Sequence, residues 1–566
     1  MSDTLISMAR RWMAADPDPT TRAATEAIIA SGEGLTESFG ARLQFGTAGI
    51  RGRMGAGPGR MNRALVRQVT AGLAAYLLET VPGAAGQGVV IGFDGRHNSR
   101  AFAEDAAAVL SGAGLKVFKY DVVVATPTLA HAVLALGCAA GIMVTASHNP
   151  PADNGYKVYW GNGAQIISPV DKGISAAIDA VGGPWNVTLP ASSTVLPVPE
   201  TVWDDYVAAV LEGRIHRKTG AKAVYTAMHG VGYAPLAALL AAAGHPIIAV
   251  PQQRDPDGDF PTVAFPNPEE DGAMDLSLSL ARQEQADLVL ANDPDADRLS
   301  VAVPDVDGSW RQLTGNEVGL LLADELLTHG VQGGDRLVVT TVVSTSLMAR
   351  VAEAHGARLA ETLTGFKWIA NKAMTDPGVF VMGFEESLGY SVGDVVRDKD
   401  GLSAALHLLD IASDCKARGT TLMAHLTALY RRYGYVASAQ KSIKMPGLEG
   451  AAKIRAVMEQ LRAAPPSVIA GLPVQRIRDV ARGTSIELTT GTTTRLDLPS
   501  SNVIAFDLAE GCRVLARPSG TEPKIKFYFE AREELAGGEA LAAAQGRAEA
   551  RMEAMRVDFF AQAALD

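Results

Sequence analysis

A serine, a histidine and an asparagine stand side by side in residues 145–151, directly after an apolar run. That run, residues 139–146, is short enough for a buried strand, and the two prolines after Asn149 prevent a helix from starting at once. Ser147 is therefore predicted to end a strand at the edge of a sheet, where α/β proteins place their ligand crevices. Its hydroxyl is the group that we expect to be chemically modified.

Three carboxylates alternate in a second loop, which follows the apolar run 286–291. Asp293, Asp295 and Asp297 offer only oxygen ligands, which suit Mg²⁺ better than zinc. A solvated acidic turn is the alternative, but the proline inside the loop and the adjoining Arg298 make it less attractive. The pattern predicts a magnesium site.

Residues 383–390 place paired carboxylates and a hydroxyl after the predicted strand 379–382. Gly383, Glu385 and Ser387 belong to this loop, and such groups suit hydrogen bonds to sugar hydroxyls. A helix-capping loop would have the same composition.

A guanidinium, hydroxyls, backbone N–H groups and lysines come together near the C-terminus, a composition typical of a phosphate cradle. These residues are Arg517, Ser519, Gly520, Thr521, Lys524 and Lys526. The alternative is a basic hairpin turn whose lysines point outward along a strand.

Two further cations accompany the serine. Arg51 lies in the glycine-rich turn 46–52, and Lys157 follows Ser147 by about ten residues, close enough to enter the same pocket. Each alone is unspecific, since glycine turns are common and a lone lysine is usually a surface residue.

Length and charge limit the classes of protein that remain. At 566 residues the chain is too long for one core, so three to five domains are expected. The net charge of -11 argues against nucleic acid as the main partner. Any phosphorylated ligand must therefore meet a local basic cluster.

Cysteine usage and hydropathy favour the cytoplasm. The three cysteines fit no disulfide or metal spacing, and the N-terminal residues do not resemble a signal peptide. Two windows without charged residues, 122–147 and 225–253, are long enough to span a bilayer. Glycines and prolines interrupt both, which favours strand, helix and strand over a membrane helix.

The positioning elements form a unit that occurs three times, in which a strand, a polar or glycine turn, an Ala/Leu-rich helix, a glycine and a second strand follow one another. The predicted strands and helices are 89–94, 100–110 and 115–120; 223–227, 235–243 and 247–250; and 337–343, 347–355 and 359–362. Their wide spacing indicates tandem α/β domains rather than a solenoid.

The pattern changes after about residue 440. Short alternating segments near 442–445, 485–489 and 513–517 predict antiparallel strands, and 538–566 a long helix, so an α+β domain is expected to close the chain. The Gly/Pro-rich stretches 181–200 and 446–473 are predicted to be linkers or surface loops.

The four loops, in this order, resemble those of the α-D-phosphohexomutase superfamily. The resemblance covers nearly the whole chain and implies a heart-shaped, four-domain α/β architecture, with three similar α/β domains and a TATA-binding-protein-like α+β domain. The corresponding boundaries are 1–205, 206–320, 321–440 and 441–566.

The resemblance also implies roles. Ser147 would be a phosphoserine that passes its phosphoryl group to a sugar monophosphate, with Mg²⁺ held by the three aspartates and an oxygen on Ser147. Arg298 and Arg51 would flank it. Lys157, His148 and Arg51 match the family's general acid and base positions, and cationic neighbours would lower the pKa of such a lysine.

Glu385 and Ser387, with Gly383 and Lys367, match the sugar-binding positions. A further set matches the loop that holds the phosphate that does not react: Arg517, Ser519, Gly520, Thr521 and Lys526. A hexose 1,6-bisphosphate would be the intermediate and activator.

Glucose 1-phosphate and 6-phosphate are the favoured substrates, since the motifs at 365–369 and 397–401 look closest to bacterial phosphoglucomutases and phosphopentomutase-like enzymes. Mannose and pentose phosphates stay open. A metal-dependent sugar-phosphate phosphatase and a non-catalytic sugar-phosphate sensor are competing hypotheses. We expect sugar phosphates as ligands, no nucleic acid or membrane partner, and a monomer or homodimer.

Overall fold

The computed structural model describes residues 2–47, 49–190, 194–305, 307–519 and 524–565. They form two compact units. One contains residues up to 318 together with 366–419, and the other contains 319–365 together with residues from 420 onward. The chain therefore passes between the units three times.

The first α/β layer begins after three helices, α1 (Ser2–Ala15), α2 (Pro19–Ser31) and α3 (Leu35–Phe39). Its strands are β1 (Gly49–Arg53), β2 (Val89–Phe93), β3 (Val117–Lys119), β4 (Ala140–Val144), β5 (Asp153–Trp160) and β6 (Val195–Pro197). The strand order is β1-β5-β4-β2-β3-β6, in which β5 is antiparallel to both neighbours and the β4-β2-β3-β6 pairs are parallel. Every residue of β2 and β4 is buried, as parallel strands covered on both faces require.

Helices cover this sheet. They are α4 (Arg63–Thr80), α5 (Ala84–Gln87), α6 (Ser99–Gly112), α7 (Thr126–Ala135) and α8 (Val170–Val181), with a short 3₁₀ turn at Pro184–Asn186. Leu65, Val69 and Leu73 of α4 join the strand residues Val89 and Ile91 in one buried core. That core fixes the sheet whose edge carries the serine loop.

The second layer follows α9 (Thr201–Glu212) and has the strand order β11-β10-β9-β7-β8. Its strands are β7 (Ala223–Thr226), β8 (Ile247–Ala249), β9 (Leu288–Ala291), β10 (Ser300–Pro304) and β11 (Trp310–Leu313), and its helices are α10 (Tyr233–Ala243) and α11 (Asp275–Glu284), with a 3₁₀ turn at Pro251–Gln253. Strand β7 is parallel to β8 and β9, and β10 is antiparallel to β9 and β11.

The third repeat divides between the units. Helix α12 (Gly315–His329) is followed by β12 (Arg336–Thr341), α13 (Leu347–Ala354) and β13 (Arg358–Thr362), and β12 and β13 are parallel. In the first unit, α14 (Phe366–Thr375) precedes the antiparallel pair β14 (Val379–Glu385) and β15 (Gly389–Val392), and α15 (Gly401–Ala417) follows.

The C-terminal part of the second unit is an antiparallel sheet with helices. After α16 (Leu422–Tyr433), the strand order is β16-β23-β22-β21-β18-β19-β20, and the short β17 pairs with β18. The elements are β16 (Tyr435–Lys444), α17 (Gly447–Ala463), β17 (Val468–Ile469), β18 (Leu472–Asp479), β19 (Thr484–Glu487), β20 (Thr492–Arg495), β21 (Ile504–Leu508), a 3₁₀ turn at Ala509–Gly511, β22 (Arg513–Pro518), β23 (Lys524–Glu533) and α18 (Leu541–Gln562). Phe506, Phe527 and Phe529 of the sheet pack against Phe559 of α18.

The three predicted repeats are confirmed. Each predicted strand and helix corresponds to an observed one: β2, α6 and β3; β7, α10 and β8; β12, α13 and β13. The antiparallel C-terminal sheet and its long last helix are also confirmed. Buried apolar runs and glycine-marked turns are local signals, which explains why the sequence revealed them.

The prediction of a loop over 446–473 was wrong for much of its length, because Gly447–Ala463 is helix α17. Glycines and prolines lie mainly before and after the segment 451–463, whose composition favours a helix. The second predicted loop, 181–200, begins with the last residue of α8 and otherwise contains only a 3₁₀ turn and the short strand β6 among its described residues.

The two windows without charged residues are divided as predicted. The first contains α7 and β4, and the second contains α10 between the end of β7 and strand β8. Among the helices that the structure describes, none has the length and apolarity needed to cross a membrane.

Candidate active site

The serine loop begins where β4 ends. Ser147 has a φ of 53°, in the left-handed region that residues other than glycine rarely adopt. The Ser147 amide donates a hydrogen bond to the Thr145 hydroxyl at 2.8 Å, which stabilises the turn. Ser147 is only 5% exposed. Such backbone strain is concentrated at functional sites, so the loop holds its hydroxyl in one fixed direction.

Arg96 hydrogen-bonds to the backbone of the serine loop. Its guanidinium donates to the backbone carbonyl of Ser147, to that of Asn149 at 2.6 Å and to that of Pro150 at 2.9 Å. Asp94, which is fully buried, pairs with the same guanidinium at 3.3 Å. The fork geometry of arginine is suited to collecting several carbonyls at once, so Arg96 fixes the path of the loop.

The acidic loop follows β9, and its three carboxylates are buried. Asp293, Asp295 and Asp297 are each at most 1% exposed, and one carboxylate oxygen from each lies within 4.8 Å of the others. Thr126 donates to Asp295 at 2.6 Å. The Oδ1 atoms of Asp295 and Asp297 are buried without a hydrogen-bond partner. Unsatisfied buried oxygens of this kind fit a hard divalent cation, so the triad can hold a metal.

The serine and acidic loops meet directly. The Ser147 hydroxyl donates to Asp293 Oδ2 at 2.8 Å and lies 3.2 Å from His148 Nδ1. The two loops are far apart in sequence, so only the folded chain brings them together. A phosphoryl group on Ser147 would therefore lie beside the carboxylates that can hold a metal.

Two lysines neutralise part of the acidic charge. Lys157 Nζ lies 2.6 Å from Asp295 and 3.0 Å from Asp297, and Lys399 Nζ lies 3.1 Å from Asp297. Burial alone would lower the pKa of both lysines, but the carboxylates raise it above the ordinary value. Both ammonium groups are therefore charged at neutral pH.

The expectation that cationic neighbours lower the pKa of Lys157 was wrong for this structure. Its nearest partners are two carboxylates, and their attraction exceeds the effect of burial. His148 behaves in the opposite way, because burial, followed by Arg298 and Arg51, lowers the pKa of its imidazole well below the usual range. His148 is therefore neutral and can accept a proton.

Arg51 and Arg298 both interact electrostatically with carboxylates of the acidic triad. Arg51 Nη1 donates to the Ala146 carbonyl at 3.4 Å, which places it against the serine loop. Arg298 pairs with Glu269 at 3.3 Å, and its buried Nε has no hydrogen-bond partner. The Arg298 charge also lowers the pKa of Arg51, after burial. Guanidinium groups are well suited to binding oxyanions such as phosphoryl groups.

The predicted sugar loop joins β14 to β15 and contacts the acidic loop through its backbone. The Leu299 amide donates to the Leu388 carbonyl at 3.0 Å, and Arg298 and Gly389 form an antiparallel bridge. Burial raises the pKa of the Glu385 carboxyl, which Lys399 partly offsets. Gly383 lies within β14 and Ser387 in the turn, half-buried. Glu385 therefore belongs to the same cluster as the acidic triad.

Lys367 contacts the glycine-rich turn. Its ammonium donates to the hydroxyl of Thr47 and to the Thr47 carbonyl at 3.3 Å. Burial lowers the pKa of Lys367 to about 8. The residue is thus a cation whose charge depends on pH near neutrality.

The predicted phosphate loop lies in the second unit, between β22 and β23. Arg517 and Lys526 are directly opposite each other across these strands, so they share one face. Ser519 donates its amide to the Lys524 carbonyl at 2.8 Å. Gly520 and Thr521 lie outside the described residues.

Sequence reasoning did not single out Arg96 or Lys399 as site residues. Arg96 stands in the turn 95–99 of the first repeat, at the end of the strand next to the one that carries Ser147. Adjacent parallel strands end at the same edge of a sheet, and this was the signal that could have found it. Lys399 lies in the motif 397–401, which was used only for substrate choice. No local signal indicated its contact with Asp297, because that contact is formed by the tertiary structure.

Models of the phosphoglucomutase/phosphomannomutase family match the chain along most of its length. Its α/β/α domain I matches residues 42–182, domain II 204–308, domain III 314–433 and the C-terminal domain 449–545. The chain belongs to this family. The four-domain α/β architecture expected from the motifs is thereby confirmed.

Curated relatives of this family member differ in their named substrates. This chain is 43% identical to the "Probable phosphomannomutase" of Haemophilus influenzae, and the match covers 83% of this chain and 93% of the other. It is 39% identical to the phosphopentomutase of Homo sapiens, covering 92% and 90% of the two chains. It is 37% identical to a phosphoglucomutase of Staphylococcus aureus, covering 87% and 90%.

Solved structures share the fold. A Paramecium phosphoglucomutase, pp63/parafusin in its open form, superimposes with a TM-score of 0.68 at 18% identity, covering 92% of this chain and 96% of that one. A phosphoglucomutase/phosphomannomutase family protein from Burkholderia thailandensis gives 0.65 at 22% identity, covering 91% and 98%. With the curated relatives, the family match identifies this chain as a phosphosugar mutase, an isomerase.

Proposed function

We propose that this mutase interconverts α-D-glucose 1-phosphate and 6-phosphate through a phosphoserine at Ser147. The observation that carries the proposal is the contact between the Ser147 hydroxyl and Asp293, a member of the buried acidic triad, at 2.8 Å. A hydroxyl in this position is already oriented for phosphoryl transfer, which depends mainly on positioning and electrostatics.

The reaction proceeds in two balanced steps. In the first, a sugar hydroxyl attacks phosphorus and gives its proton to a base of the site, while the bond from phosphorus to Ser147 Oγ breaks and Oγ takes up a proton from an acid of the site. The product is glucose 1,6-bisphosphate. After the sugar turns over, the Ser147 hydroxyl gives its proton to a base of the site and Ser147 Oγ attacks the other phosphoryl group. The bond from that phosphorus to the sugar oxygen breaks, the sugar oxygen takes up a proton from an acid of the site, and Ser147 is again a phosphoserine.

The chain's own residues prepare these steps. Arg51 and Arg298 are proposed to contact the phosphoryl oxygens on Ser147, which the contact of Arg51 with the Ala146 carbonyl supports. Neutral His148 can accept the proton, and Lys157 is the other candidate for acid and base work. Asp293, Asp295, Asp297 and an oxygen of the phosphoserine would hold Mg²⁺, which would neutralise phosphoryl charge when bound.

We propose separate sets of residues for the sugar hydroxyls and for the phosphate. Glu385 and Ser387, with Gly383 and Lys367, are proposed to bind the sugar hydroxyls. The phosphate that does not react is assigned to a basic set in the second unit: Arg517, Ser519, Gly520, Thr521 and Lys526. This assignment is supported by the pairing of Arg517 with Lys526, because a guanidinium group beside an ammonium group is well suited to binding a phosphate.

A pentose phosphate is the second candidate substrate, favoured by the 39% identity to the human phosphopentomutase over 92% of this chain. Rates with glucose, mannose and ribose 1-phosphates, measured under identical conditions with Mg²⁺, separate the candidates by kcat/KM. The glucose proposal expects the highest value for glucose 1-phosphate. A higher value for ribose 1-phosphate would move the assignment to a pentomutase.

The phosphoserine has its own test. Enzyme incubated with glucose 1,6-bisphosphate is digested, and the peptide that contains Ser147 is examined by mass spectrometry, with Ser147→Ala as the matched control. We expect one added phosphate on the wild-type peptide. A peptide that stays unmodified, or steady release of inorganic phosphate without isomerised sugar, would contradict the mechanism.

Three further features are proposed from the sequence. Domain boundaries are proposed after residues 205, 320 and 440. A monomer or homodimer is expected, which size-exclusion chromatography with light scattering can decide. A cytoplasmic location is supported by three buried cysteines that carry free thiols.

A further inference from the structure

Lys399, in the segment 397–400, reaches the acidic triad through a narrow space between other residues. Lys399 Nζ lies 3.1 Å from Asp297, and its side chain is 11% exposed. A Cβ atom added to Gly389 would lie 2.5 Å from Lys399 Cδ and 2.8 Å from its Cγ. The ammonium also lies 5.8 Å from the centre of the Phe366 ring. The stem of Lys399 therefore runs through a slot that exists because residue 389 has no side chain.

Asp398 fixes Lys399 at both of its ends. This carboxylate is fully buried; its Oδ1 accepts from the Lys399 amide at 2.8 Å and lies 3.4 Å from the Lys399 ammonium. Its Oδ2 accepts from the Tyr159 hydroxyl at 2.6 Å and from Gln165 Nε2 at 2.7 Å. Charge-assisted bonds of this length are strong and directional. Tyr159 and Gln165 thus hold the carboxylate that holds the lysine.

Asp400 is held in the same way on the other side. The Tyr206 hydroxyl donates to its two carboxylate oxygens at 3.0 and 2.9 Å. The carboxylate also caps helix α15, accepting from the amides of Leu402 and Ser403 at 3.0 and 3.1 Å. Both sequence neighbours of Lys399 are therefore fixed by buried tyrosines, one from strand β5 and one from helix α9.

We propose that Tyr159 and Tyr206 are positioning residues for the mutase reaction, which hold the Lys399 ammonium against the acidic triad through Asp398 and Asp400. The proposal rests on the proposed function, because Lys399 contacts Asp297, which is assigned there to the metal site of the phosphoryl transfer. Neither tyrosine touches the reacting atoms in this role. Each acts by restricting one neighbour of the lysine.

The main experiment is a double-mutant cycle. Tyr159→Phe removes only the hydroxyl, so Lys399 loses orientation while the buried ring stays. We expect kcat to fall about tenfold or more, the scale of a small misplacement of a reacting group, with KM changed much less. In a Lys399→Met background the same substitution should cause no further loss. Equal losses in both backgrounds would overturn the proposal.

A matched control lies on the same strand. Tyr156 is equally buried, and its hydroxyl contacts Thr70 at 3.0 Å rather than the 397–400 segment. Tyr156→Phe should leave kcat near the wild-type value in both backgrounds. Tyr206→Phe should behave like Tyr159→Phe, and the two tyrosine substitutions together should lose no more than Lys399→Met alone. A combined loss well beyond that of Lys399→Met would contradict a common action through the lysine.

A second variant tests the slot without removing any hydrogen bond. Gly389→Ala displaces the Lys399 stem, and its loss of kcat should also vanish in the Lys399→Met background. This variant keeps the proposal testable if Tyr159→Phe fails to fold. The same Cβ would lie 3.0 Å from Glu385 Cγ, so KM for the sugar phosphate is measured together with kcat. A loss of kcat at unchanged KM that persists in the Lys399→Met background would contradict the slot.

A readout besides activity separates this proposal from the proposed function. The rate at which Lys399 is acylated by a water-soluble reagent is followed by peptide mass spectrometry, with and without Mg²⁺. Lys399 should be protected in the wild type and in Tyr156→Phe, and labelled several-fold faster in Tyr159→Phe. An unchanged rate would overturn the positioning role even if the enzyme turns over none of the three sugar phosphates.

Discussion

Two groups of ligand-binding residues in this chain are held in different ways. In the first unit, Asp293, Asp295 and Asp297 are at most 1% exposed and are surrounded by buried cations. In the second unit, Arg517 and Lys526 are half-buried on facing strands of an antiparallel pair. Stabilising charge in a transition state requires groups that are fixed in place and shielded from water. Binding the phosphate that does not react requires only a nearby cation. We therefore expect substitutions in the first group to lower kcat and those in the second to raise KM.

The largest effect is expected from Ser147→Ala. Without the hydroxyl no phosphoserine can form, so kcat should fall at least about 10³-fold, as removal of a nucleophile does elsewhere. A coupled assay that detects glucose 6-phosphate measures this. The matched control is Ser519→Ala in the second group, which should alter KM far more than kcat. Substantial turnover by Ser147→Ala would remove the proposed contrast.

The second-largest effect is expected from the loss of one carboxylate of the acidic triad. Asp295→Asn keeps the shape of the residue but removes charge from a site with two unsatisfied oxygens, so Mg²⁺ affinity should fall about 10²-fold or more, with a matching loss of activity at limiting metal. Isothermal titration with Mg²⁺ measures the affinity. Chelation should inactivate the wild type, and added Mg²⁺ should restore it. Unchanged affinity in the variant would mean that the triad is not the metal site.

Arg517→Ala tests the second group. Loss of a charge-assisted fork should raise KM for the sugar phosphate about tenfold, with kcat changed less. Arg517→Lys should recover part of the affinity, because the charge remains but the fork does not. Steady-state kinetics with both variants decide this. A fall in kcat at constant KM would place Arg517 with the catalytic group instead.

The smallest effect concerns Lys367, a half-buried cation of the first unit. Burial lowers its pKa to about 8, so it is charged below that pH and neutral above it. If it binds an anionic substrate, KM should rise several-fold as pH increases through about 8. Lys367→Arg, which stays charged, should remove this rise. An identical pH dependence of KM in both enzymes would exclude Lys367 as its source.

Predictions from the sequence succeeded where the signal was local. The three repeats, the strands before Ser147 and Asp293, and the C-terminal antiparallel sheet all follow from apolar runs and their turns. They failed where a local signal was misleading, as in the predicted loop that is helix α17. They also gave the wrong direction for the pKa of Lys157, because its partners come from a distant loop.

The sequence by itself determined the family, the order of the four loops and the residue types that each loop offers, since these depend on neighbours along the chain. Only the tertiary structure decided which groups meet: Ser147 with Asp293, Lys157 with two carboxylates, and Lys399 with Asp297. The physical reason is that burial and charge pairing depend on distances across the fold. Pairs separated by more than a hundred residues leave no periodic or spacing signal in the sequence.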